Sequence, residues 1–134
     1  MNSKISGLLN NHTILVKHIF ELSESILVYS KENDLKKIDE KDQIRSKVIN
    51  ILCVLHKEIE ILIEKIDPIK ENDTVQRISN WRKSTNELLK KIEDIDQLII
   101  SHLEEQKNQA SKEISAVYTN KKKINGYNLN NLKP

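Results

Sequence analysis

The residues best suited to chemistry in this chain are His12, Cys53, His56 and His102. Three of the four histidines recur on the same three- and four-residue steps as the aliphatic side chains, and Cys53 precedes His56 by one helical turn. Cysteine and histidine at that spacing can ligate zinc from one face of a helix. Chain geometry limits the idea. Folding the chain back through a short turn near residue 33 sets His12 level with residue ~54, beside Cys53 and His56. A second fold near residue 70 brings Ser84 and Thr85 to that layer and leaves His102 near Ile38, several turns away. Three ligands at most converge, without a carboxylate. The expectation is a layer of neutral, hydrogen-bonded histidines in which His12 and His56 meet, with no metal and no cofactor.

Catalysis finds less support still. The acidic residues alternate with lysines, as Glu87 and Lys91 do at i,i+4, which is how solvated helix faces look. No glycine-rich loop cradles a phosphate, and no pair of Glu-x-x-His motifs offers a di-iron site. The chain does not read as an enzyme. Trp81, Phe20 and Tyr29 sit at seam positions and read as core.

The elements that position these residues are long helices. From Ile5 the apolar steps run through Leu8, Leu15, Ile19, Leu22 and Ile26 to Tyr29, predicting a helix over 5–31. Glu32-Asn33-Asp34 supplies a tight connection and an N-cap, and a second helix over 35–66 carries Ile44, Val48, Ile51, Leu55, Ile59, Leu62 and Ile66. It is the most apolar of the helices, so Ile44, Ile51, Leu55 and Ile59 are expected at the centre of the core. Asp67-Pro68 stops it. Asp73-Thr74-Val75-Gln76 has the form of a capping box. From there a third helix is expected over 74–120, seamed by Ile78, Trp81, Thr85, Leu88, Ile92, Ile95 and Ile99.

Composition agrees with this reading. Gly7 and Pro68 are the only breakers before the tail, charged residues make up 31% of the chain and aromatics 4%. That is the profile of aliphatic seams between wide solvated faces. The net charge of +2 is spread along the helices, so nothing advertises nucleic acid or an anionic membrane. The lysines at 121–123 complement a helix C-terminus. The longest apolar run, residues 51–55, is far short of the ~20 a membrane span requires. Asn10-Asn11-His12 interrupts the first apolar stretch too early for a secretory signal. A lone cysteine fits a reducing cytoplasm.

The fold class expected is therefore all-α: an elongated antiparallel bundle of three long helices, the third overhanging or bent into a short fourth. One domain covers 1–120, followed by a basic, Asn-rich flexible tail over 121–134. The third helix outruns its partners near Glu105, leaving about fifteen residues, or ~22 Å. A stripe over Leu103, Ala110, Ile114, Val117 and Tyr118 is then the expected partner-binding surface.

Several segments carry a resemblance. The N-terminal helix, the second helix beginning Asp34-Leu35-Lys36-Lys37-Ile38, the third with Glu93-Asp94-Ile95-Asp96-Gln97-Leu98-Ile99, and the tail Lys121-Lys122-Lys123-Ile124-Asn125-Gly126-Tyr127 together resemble flagellar export chaperones of the FliT/FlgN type. The resemblance implies a cytoplasmic protein, a monomer or weak homodimer, that holds a helical segment of flagellar or type III secretion substrates and hands them to the export apparatus. Relatives often break the third helix into a short fourth, whereas this chain has neither Gly nor Pro between Asp73 and Gly126. The alternative is a structural coiled-coil adaptor or self-associating scaffold without a client.

Overall fold

The computed structural model describes the backbone of residues 2–125 and the side chains of residues 3–116. Among the described residues there are three helices: α1 (Asn2–Lys31), α2 (Leu35–Glu64) and α3 (Asn72–Asn125). The all-α bundle expected from the periodicity is what forms, and α3 runs as one unbroken helix. The chain divides into two compact units, residues 1–99 and 100–134.

The first turn follows from its three residues. Asn33 takes a positive φ of 56°, which asparagine tolerates better than most side chains. The Asp34 carboxylate then caps α2, accepting from the backbone N–H of Lys37 at 3.2 Å. The second turn is built on Asp67, whose side chain accepts from the N–H groups of Ile69 and Lys70. α3 begins one residue before the expected cap. The Val75 N–H bonds to the Glu71 carbonyl, so Asp73 lies inside the first turn, where its charge complements the dipole without closing a capping box.

The core of the first unit lies in two apolar clusters. One gathers Ile5, Leu9, Ile59, Ile78 and Trp81; the other gathers Val16, Ile19 and Ile92, with Phe20, Val48 and Leu52 against them. The expectation that α2 is central is overturned. α1 supplies buried side chains from Ile5 through Ile26, whereas α2 buries only Ile59 fully. Ile44 is 43% exposed and Ile51 58% exposed, and Leu55 is only half-buried. The reason is geometric: the apolar arc of α2 is wider than the arc α1 and α3 cover, so its edge faces outward. That edge forms an open groove of about 690 Å³ with α1, lined by Ile14, Leu15, Ile51, Val54 and Leu55 among Asn11, Asn50 and Glu58. Among the described residues no helix is long and apolar enough to cross a membrane.

Candidate functional site

Between the apolar clusters lies a polar layer. The antiparallel pairing of α1 and α2 brings His12 and His56 together, as expected, with His56 Nδ1 3.3 Å from His12 Nε2. Trp81 of α3 closes the group: its ring centroid is 4.9 Å from that of His12, nearly edge to face, and 5.9 Å from that of His56.

Glu60 Oε1 lies 3.5 Å from His56 Nε2, one turn along α2. Between the two imidazoles, one of His56 Nδ1 and His12 Nε2 donates and the other accepts, the tautomers deciding which. His12 Nδ1 remains buried without a hydrogen-bond partner, as does the indole N–H of Trp81.

The two imidazoles are unequal. His12 is 2% exposed, while His56 is exposed at the surface. Burial, with the neighbouring His56 as the lesser cause, pushes the His12 pKa down from 6.5 to about 4. Outside the pair, Arg82 grips Glu60 with two bonds of 3.0 and 3.1 Å, and the same guanidinium rests over the Trp81 ring at 5.6 Å. The bond from Arg82 is the main reason the Glu60 carboxyl lies below its ordinary range.

Cys53 is exposed and lines the cavity beside this layer together with His12 and His56. Among the described residues no group of three or more His, Cys, Asp or Glu side chains gathers to hold a metal ion. His102 is half-buried in the second unit.

A second polar layer was not legible from residue types. Arg45 of α2 donates two bonds to the Asp96 carboxylate of α3, at 2.6 and 2.7 Å, and a third to the Ser23 hydroxyl of α1 at 3.0 Å. Ser23 is fully buried and donates in turn to the Ile19 carbonyl at 2.7 Å. The hydrogen bonding to the Asp96 carboxylate holds the guanidinium above even its ordinary range. The signal was present in the register: the pairing that sets His12 beside His56 also sets Ser23 beside Arg45.

Of the expected partner-binding residues, Leu103 is half-buried, Ala110 is exposed and Ile114 is 56% exposed. Val117 and Tyr118 fall within α3, but their side chains lie outside the described residues. Compared with known protein families, characterised proteins and solved structures, the chain matches none.

Proposed function

We propose that this chain is a binding protein for a helical segment of another protein, a cytoplasmic export chaperone for flagellar hook-associated or filament-cap subunits or for type III secretion substrates. The observation that carries the reading is in the second unit. Every side chain from residue 107 to 116 is exposed, Ile114 among them. An isolated helical stretch gains little from propensity alone and holds firmly when an apolar stripe is buried against a partner. The spacing of Leu103, Ala110, Ile114, Val117 and Tyr118 suits a helix-on-helix contact. The resemblance of the helices and tail to FliT/FlgN-type chaperones supplies the client class.

The test is co-purification of the full chain with filament-cap and hook-associated subunits of the same organism, beside an Ile114→Asp, Val117→Asp variant. A 1:1 complex with one client, weakened at least ~10-fold in the variant, is the expected result. A free chain that self-associates through the same stripe and retains no client would favour a scaffold subunit instead.

A further inference from the structure

The cavity beside the histidine layer measures about 330 Å³, at the small end of the ~300–1,000 Å³ typical of binding sites. Its buried end is formed by His12 and Trp81, its aliphatic walls by Leu52 and Leu89, and its exposed rim by Lys57 and Arg82. We propose that it is an anchor site for one aromatic side chain of a helical partner that carries a carboxylate one turn from the anchor. This site lies wholly in the first unit and stands or falls independently of the stripe over residues 103–118.

Three observations point to that occupant. The rings of Trp81 and His56 offer a guest ring the offset and edge contacts that aromatic groups prefer. The cavity opens along the face of α2 and α3, with Cys53, Lys57, Arg82 and Asn86 exposed around it. It therefore buries a side chain while leaving the backbone that carries it outside, unlike sites that enclose most of a free ligand. The rim is cationic. No carboxylate lines the cavity, Arg82 is already paired with Glu60, and among the described residues Lys57 has no ion-pair partner. An acidic neighbour of the anchor would meet that ammonium.

Two intrinsic probes report occupancy, since the chain has one tryptophan and one cysteine, and both line the cavity. The experiment titrates the full chain with an alanine-rich helical peptide of about 16 residues carrying Phe, with Glu one turn later. Trp81 emission and the rate of Cys53 alkylation by iodoacetamide are followed. The expected result is a saturable emission change and slowed alkylation, both absent with a Phe→Ala peptide. A Glu→Lys peptide should bind about fivefold more weakly to the wild type, and Lys57→Glu, a change at an exposed position, should reverse that preference. The proposal is overturned if the Phe→Ala peptide protects Cys53 equally, if Lys57→Glu leaves the preference unchanged, or if no peptide acts at millimolar concentration. Equal protection by 3-phenylpropionate alone would also overturn it, assigning the cavity to a free aromatic acid.

Discussion

The two polar layers of the first unit solve the same problem in opposite ways. Each interrupts an aliphatic seam, and each draws one residue from every helix: His12, His56 and Trp81 in one, Ser23, Arg45 and Asp96 in the other. The Arg45 layer is closed. Its guanidinium, carboxylate and hydroxyl satisfy one another, and only one mutual register of α1, α2 and α3 permits all three bonds. The histidine layer is open, with two buried nitrogens lacking hydrogen-bond partners and a cavity alongside. A satisfied layer fixes geometry; an under-satisfied one responds to protons and to whatever enters beside it.

The largest effect that separates the layers should come from acid. His12 has a folded pKa of about 4 against 6.5 unfolded. The unfolded chain therefore takes up its proton first as pH falls. The stability tied to neutral His12 is complete above about pH 6.5, declines down to about pH 4, and is flat below. That interval corresponds to ~3 kcal/mol. Urea titrations of wild type and His12→Leu at pH 7 and pH 4 should differ by about that amount in their loss of stability. Parallel losses in the two proteins would mean that acid acts elsewhere.

Breaking the closed layer should cost somewhat less. Asp96→Ala leaves the Arg45 guanidinium, a largely buried charge, without its bidentate partner. The nearby Asp42 charge also favours the cation and softens the loss. A destabilisation of ~2 kcal/mol at pH 7 is expected by chemical denaturation. An unchanged midpoint would show that the pair is replaced by water at no cost.

How much of this was legible follows from what each residue type announces. Asn33 and Asp34 announce a turn and a cap because their local chemistry suffices, and the structure uses both. The meeting of His12 and His56 was legible because turn position fixes antiparallel register. Arg45 and Asp96 announce only solvent, since charged residues on helices are mostly solvated, and their pairing required the register to be applied to polar residues as well. The central helix was misjudged because apolar content measures how much a helix could bury, whereas position between two neighbours decides how much it does. Asp73 and Gln76 fit a capping pattern, but Glu71 and Asp67 start the helix earlier.

Removing one hydroxyl probes the closed layer at finer grain. Ser23→Ala deletes the acceptor for Arg45 and the donor to the Ile19 carbonyl. The guanidinium keeps Asp96, and a carbonyl already inside a helix keeps its backbone bond. The expected cost is ~1 kcal/mol, read from the urea midpoint at constant slope. In an Asp96→Ala background the cost should differ, because Arg45 would then depend on Ser23 alone. Strict additivity of the two substitutions would mean that the three residues do not act as one network.

The smallest effect is expected where apolar sequence and burial part company, on the outer edge of α2. Ile51 belongs to the same heptad pattern as Ile59, yet it faces the open groove with Ile14 and Val54 while Ile59 is wholly buried. Ile51→Ser removes an aliphatic side chain that water already reaches and adds a hydroxyl that water can satisfy. The transfer contribution is therefore partial, no closed cavity is left behind, and neither polar layer is touched. Thermal and urea unfolding should shift by no more than ~0.5 kcal/mol, the range of surface substitutions. The pH profile should remain that of the wild type, because His12 keeps His56 and Trp81 unchanged. A loss of several kcal/mol that grows with protein concentration would instead place Ile51 inside an interface between copies, and the groove would then be core in the assembled protein.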